Sequence, residues 1–152
     1  VYLRYGKPED HDDIVEIALP AVTEINREVA TLDLEKARFM LANTLGAPSR
    51  GYCLVVVGDD GKILAVLLAT LAQPVWYSTE TAMCLLGLYV SPQAKPDGLC
   101  SVGMSMLAFF RQDMQERGLT IKSIAMPKTG NRKRIERLYS RYFRNVGTVF
   151  AS

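Results

Sequence analysis

The chain has 152 residues, 49% apolar and 22% charged, with 18 Lys and Arg against 16 Asp and Glu for a net charge of +2. That composition excludes a disordered or collagen-like polypeptide, and the length fits one domain, residues 1–152, whose core needs no disulfide or metal staple. Three scattered cysteines (Cys53, Cys84, Cys100) without C-x-x-C spacing and a single histidine, His11, argue against a structural zinc site and a disulfide framework, so a reducing cytoplasm is expected. The longest apolar stretch, Ile63 to Ala72, is too short to span a bilayer. No secretory signal is visible, and a start at Val1 reads as loss of an initiator Met.

Tyr2 to Tyr5 reads as a short strand ended by Gly6-Lys7-Pro8. From Glu9 to Leu19, Ile14, Val15, Ala18 and Leu19 fall on one helical face behind an acidic first turn that suits the helix dipole. Pro20 is expected to kink or end that helix. A second helix runs from Asp33 as N-cap to Leu45, with Leu34, Ala37, Met40 and Leu41 inward and Gly46 as the stop. Tyr52–Val57 and Ile63–Leu71 are β-rich runs flanking Gly58-Asp59-Asp60-Gly61, a hairpin signal. Gln73 to Thr81 is a loop holding Pro74 and the one tryptophan, Trp76. Ala82 to Val90 is a third apolar run, closed by Ser91-Pro92, in which Gly87 marks a bulge or a close backbone approach. A polar stretch, Gln93 to Ser101, leads into a helix lasting until Gly118, with Val102, Met106, Phe109, Phe110 and Met114 at the helical period. Ile121–Met126 reads as a strand, Asn131–Arg144 as a basic helix and Val146–Phe150 as a last strand. The order is β-α-α-β-β-β-α-β-α-β, an α/β domain with an antiparallel first half and a βαβ unit in the second.

A strand running through a polar, glycine-bearing turn into a helix is a general way to hold phosphate, because the first helical turn offers unpaired N–H groups and a partial positive charge. Here the strand ends in Leu86-Gly87-Leu88-Tyr89-Val90 and the turn carries Gly98, Ser101 and Gly103. The same spacing also describes a plain αβ connection. The segments LYVSP, GLCSVGMSML, RQDMQERG, SIAMP and IERLYSRYF together resemble the second half of the GNAT superfamily of acetyl-CoA-dependent N-acetyltransferases, and the element order of the first half agrees. Leu88-Tyr89-Val90-Ser91-Pro92 matches the family's strand end, Gly118 falls at the expected distance, and Tyr139 follows Leu138 where the family places its tyrosine. The departures are Ser101 in place of a glycine, Gly98 in place of Arg or Gln, a longer loop after Pro92, Asn131 one position further from Tyr139, and a Tyr142-Phe143 ending.

The resemblance implies acetyl-CoA as cosubstrate and an amine acceptor. The backbone of Leu88, Tyr89 and Val90 pairs with the pantetheine arm, which enters like an extra strand. The amides from Gly98 through Ser101, Val102 and Gly103 to Met104 hold the pyrophosphate, with Asn131 and Arg132 beside the cofactor and Lys95 or Arg134 as further sources of charge. Tyr139 is implied as proton donor to the departing thiolate. The strand position where many members carry a carboxylate is Cys84, so the base stays unassigned among Glu80, Glu28, His11 and water. The acceptor pocket is expected around Ile25–Leu34 and Gln73–Thr81, with Trp76 and Tyr77 as lining or plain packing.

Lys128 to Arg144 carries seven basic residues and one acid, a segment of +6 against −4 for the rest. Attraction of coenzyme A phosphates, attraction of a nucleic acid backbone, and a solvated face are the three readings. The stripe Arg134, Arg137, Arg141, Arg144 has no interleaved exposed aromatics, which disfavours nucleic acid. A catalytically silent GNAT-like interaction module is the alternative to an enzyme. The oligomeric state stays open: the resemblance implies that two copies can pair through the Val146–Phe150 edge, and no membrane partner is expected.

Overall fold

A computed structural model of the chain describes residues 1–26, 33–73, 79–91, 94, 96–123, 137 and 139–143. In chain order these form β1 (Tyr2–Tyr5), a 3-10 turn (Pro8–Asp10), α1 (His11–Asn26), α2 (Leu34–Gly46), β2 (Gly51–Val57), β3 (Ile63–Ala72), β4 (Ala82–Val90), α3 (Pro96–Glu116) and β5 (Thr120–Ser123). The five strands make one sheet in the order β1-β2-β3-β4-β5. The first four pair antiparallel, and β5 joins β4 in parallel after the crossover through α3. The α/β class, the antiparallel first half and the βαβ unit are thus as expected as far as β5. Arg137, Tyr139 and Ser140 of the expected basic helix are helical, while Val146–Phe150 lies outside the described residues.

Alternation along the strands divides the core between two faces. Leu54, Val56, Leu67, Met83 and Leu85 pack under α3 against Met106, Leu107, Phe110 and Met114. Val55, Val57, Ile63 and Val66 pack against Ile14 of α1 and Leu41 and Leu45 of α2. With both faces covered, all of β2 is buried. The β2–β3 turn closes at Gly61, whose φ of 82° is the left-handed conformation that glycine adopts freely. Register places Tyr2, Val57, Ile63 and Val90 at one end of the sheet, and Tyr5, Gly51, Ala72 and Ala82 at the other.

Four local expectations are revised. Of the two outcomes expected at Pro20, a kink or an end, the end does not occur: the first helix runs through it to Asn26. A proline removes one bond of the ladder, and the turn after Leu19 is reinforced by Thr23, whose hydroxyl donates to the Leu19 carbonyl at 2.8 Å. On α2 only Leu41 and Leu45 are buried, whereas Leu34, Ala37, Met40 and Phe39 face outward, because a narrow i, i+4 stripe is all that meets the sheet. The third helix starts at Pro96 instead of after Ser101. Proline suits the first helical position, where its missing N–H breaks no bond. Phe109 of this helix, expected inward, is exposed and packs edge-on to Tyr5 with ring centroids 6.3 Å apart.

Candidate functional site

Leu68 lies opposite Gly87 and Ala69 opposite Leu85, which leaves Leu86 of β4 as an extra residue with no partner on β3. This is a β-bulge, which bends the strand and re-aims the residues beyond it. Leu86 is 52% exposed although the four residues before it are buried. Pairing with β5 covers Ala82–Leu85 opposite Thr120–Ser123, so among the described residues Leu86–Val90 has no partner strand on that side. Bulge and open edge begin at the same residue. Leu88 and Val90 turn their side chains into the core under α3, so what they offer an extended ligand is main chain.

Gly87 and Tyr89 share the opposite face. A Cβ on Gly87 would overlap the ring and hydroxyl of Tyr89, so the phenol is folded back along the strand over the glycine. Burial raises the Tyr89 pKa. Tyr139 stands close enough to feel its charge: burial first, and Tyr89 second, push the Tyr139 phenol up to about 12. Its ring packs against Phe143 at 5.8 Å, and its carbonyl accepts from the amides of Tyr142 and Phe143 at 3.0 and 2.8 Å. Two contacts to Met104 seat this turn on α3: the Tyr142 hydroxyl donates to its carbonyl and Arg141 Nη1 to its sulfur, both at 3.4 Å. Tyr139, like Leu88 and Val90, packs on the core under α3, whereas Tyr89 lies on the other face of the strand.

The expected phosphate cradle is only partly formed. With α3 beginning at Pro96, the amides of Ser101, Val102, Gly103 and Met104 lie inside the helix and by α-helical geometry point to carbonyls four residues back. Of the expected span, Gly98 alone stays in the first turn, where it and Asp97 carry N–H groups that the helix leaves unpaired. Gly103 is buried and Val102 packs on the core under α3. Lys95, Asn131, Arg132, Arg134, Trp76, Tyr77 and Glu28 lie outside the described residues.

No base emerges from the described candidates. Cys84 is a buried free thiol in register with Lys122 on β5; burial raises its pKa, Lys122 opposes weakly, and it stays protonated at neutral pH. Glu80 is paired with Lys122 at 3.5 Å. His11 has both ring nitrogens engaged, Nδ1 with Asp12 at 3.1 Å and Nε2 with the Arg38 carbonyl at 3.0 Å, and so joins α1 to α2. The described residues contain no cluster of three His, Cys, Asp or Glu able to hold a metal, and no described helix is long and apolar enough to cross a membrane.

Sequence reasoning missed a polar cluster at the far end of the sheet. Asp113 on α3 accepts from the hydroxyls of Tyr5 and Tyr52 at 2.8 and 2.6 Å and pairs with Arg117 at 2.9 Å, while the Arg117 guanidinium lies 5.4 Å from the centre of the Tyr52 ring. Burial works to raise the Asp113 pKa, but Tyr52, Arg117 and Tyr5 outweigh it and hold the carboxyl below its usual value. Asp113 and Arg117 are spaced i, i+4 on a helix, the one signal the sequence carries. A cleft of about 320 Å³ opens there, lined by Tyr5, Thr44, Leu45, Pro48, Tyr52 and Arg117. Its cation is already neutralised by Asp113, which makes the cluster a clamp holding α3 to β1 and β2.

No protein-family model matches the sequence, and no curated protein matches it. Solved structures do match, over essentially the whole chain. A predicted acetyltransferase from Clostridium acetobutylicum with acetyl-CoA superposes with a TM-score of 0.72 at 17% identity, covering 99% of this chain and 94% of that one. An aminoglycoside 6'-N-acetyltransferase from Acinetobacter haemolyticus gives 0.71 at 15% identity, covering 100% and 97%. A protein from Bacillus halodurans described as a transcriptional regulator gives 0.71 at 14% identity, covering 100% and 98%. The chain has the fold of the GNAT acetyltransferases.

Proposed function

We propose that this GNAT-fold chain is an N-acetyltransferase that moves an acetyl group from acetyl-CoA to an amine. The observation that carries the reading is the bulge at Leu86, beyond which no described strand pairs with β4 on the β5 side. An extended arm bearing amides can pair with Leu88 and Val90 along that edge as an added strand, and the α3 first turn at Asp97 and Gly98 meets its diphosphate. When bound, acetyl-CoA supplies the acetyl group and a thiolate leaving group.

Tyr139 hydrogen-bonds the departing sulfur with its phenolic proton as charge develops there. A pKa near 12 means the phenol still holds that proton at neutral pH. The acceptor must be neutral to attack, a handicap of roughly 4–5 kcal/mol for an amine of pKa about 10.4 at pH 7. With Glu80 paired, Cys84 protonated and His11 engaged, we assign the amine proton to water. The consumed amides of Ser101–Met104 favour a second reading, a GNAT-like module that transfers nothing.

Titration with acetyl-CoA separates the two. A ligand at about 100 times its Kd stabilises the folded state by about 2.7 kcal/mol, which for a domain of this size raises Tm by roughly 5–10 °C. A rise of that order supports the enzyme; an unchanged Tm with no calorimetric heat supports the silent module.

A further inference from the structure

Gly87 and Tyr89 sit two residues apart on one face of β4, and the Tyr89 ring lies back over Gly87 instead of standing off the sheet. A Cβ built on Gly87 would overlap Cζ, Cε2 and the hydroxyl oxygen of that ring, so the space a side chain would take there is filled by the phenol. Tyr89 is half-buried, with core behind it. Tyr89 packs against the buried cluster under α1 and α2, opposite the fully buried Val66. The bulged Leu86 adjoins Gly87, and from there on no described strand pairs with β4 on the β5 side. Leu88 and Val90 face α3, so on the α1 and α2 side of the strand a thioester at that edge meets Gly87 and Tyr89.

We propose that Tyr89 sets the acyl-chain length of the donor: its ring closes the space over Gly87, leaving room for an acetyl group and turning away longer acyl chains. The assignment rests on the acetyl-CoA reading above and adds a selectivity that reading does not contain. A closed apolar wall discriminates by about 10-fold or more per methylene, and packing near 0.75 density leaves no slack to absorb the extra carbons.

The test is calorimetric Kd values for CoA, acetyl-CoA and butanoyl-CoA with the wild-type chain, Tyr89→Phe and Tyr89→Leu, each checked for folding by circular dichroism. The wild type is expected to bind acetyl-CoA at least about 10-fold tighter than butanoyl-CoA. Tyr89→Phe, which keeps the ring, should keep that ratio. Tyr89→Leu should bring the ratio to within about twofold while its affinity for CoA itself holds. A wild type without preference, or a Leu variant with the wild-type ratio, overturns the assignment while leaving the acetyl-CoA reading intact. A wild type that binds none of the three overturns both, and CoA is the ligand that tells these failures apart. Should Tyr89→Leu not fold, Gly87→Ala decides: its methyl takes space the ring fills, so the ring must shift, and acetyl-CoA should be weakened more than CoA. Equal weakening of the two overturns the assignment.

Discussion

A phenol whose pKa is pushed up to about 12 holds its proton across the neutral range, which unfits Tyr139 for proton abstraction; as a weaker acid than a thiol of pKa about 8.5, it serves the proposed transfer by hydrogen-bonding the sulfur as its charge develops. Tyr139→Phe should lower kcat by about 100-fold or more and leave the Kd for acetyl-CoA unchanged; stopped-flow turnover with calorimetry checks the split. The sign of the shift also fixes the pH behaviour. The raised group stays protonated beyond its ordinary value of about 10, so it should impose no loss of kcat below that pH, and a loss should set in only as pH nears 12. Tyr139 was legible in the sequence because Leu138-Tyr139 carries a pattern of neighbours. The return of Tyr89 over Gly87 was not: a glycine in a strand says that something comes close, without saying what. That both residues share a face follows from strand alternation, but the lean of the ring is a packing outcome.

Deleting Leu86 is the cleanest intervention on an element. The cross-strand pairs Leu68–Gly87 and Ala69–Leu85 already flank it, so its removal closes the ladder without turning any other side chain to the opposite face. The shortened chain should fold with equal or greater stability yet bind acetyl-CoA at least about 10-fold more weakly, because the bend that presents the strand edge is lost. An unchanged Kd would show that the bulge plays no part in binding. A second junction, between β1 and the start of α1, depends on Asp10. Its carboxylate takes both guanidinium nitrogens of Arg4 at 2.7 and 2.8 Å and the Lys7 amide at 2.7 Å. The Arg4 bond, against burial, lowers the Asp10 pKa. A lowered carboxyl stabilises the fold above its unfolded pKa of about 3.9 and loses that contribution as pH falls through the folded value. Arg4→Met should therefore cost roughly 2–3 kcal/mol at pH 7 and less under acid, read from urea midpoints across pH. Strands were legible at this scale because their alternation is strict. The start of α3 was not, since Pro96-Asp97-Gly98 has the residues of a turn and of a helix start alike.

Taken whole, the molecule has two ends with different work. At one lie the stretch of β4 that no described strand covers on the β5 side and the first turn of α3; at the other, Asp113 ties two tyrosines and Arg117 into a clamp. Asp113→Ala should lower stability by about 2–4 kcal/mol by orphaning those partners. It should leave acetyl-CoA affinity untouched, since sites without shared partners act independently. Thermal melts with and without ligand check both halves. The fold class was readable from element order, whereas this division of ends needed the strand register, which no residue pattern supplies. The early start of α3 carries one more implication. Under the proposed transfer, a grip through peptide groups along a strand, with the amides of Ser101–Met104 spent inside the helix, leaves the adenosine end of the donor the dispensable part. S-acetylpantetheine, a thioester stripped of its adenine, ribose and phosphates, should then serve as a working acetyl source for this chain.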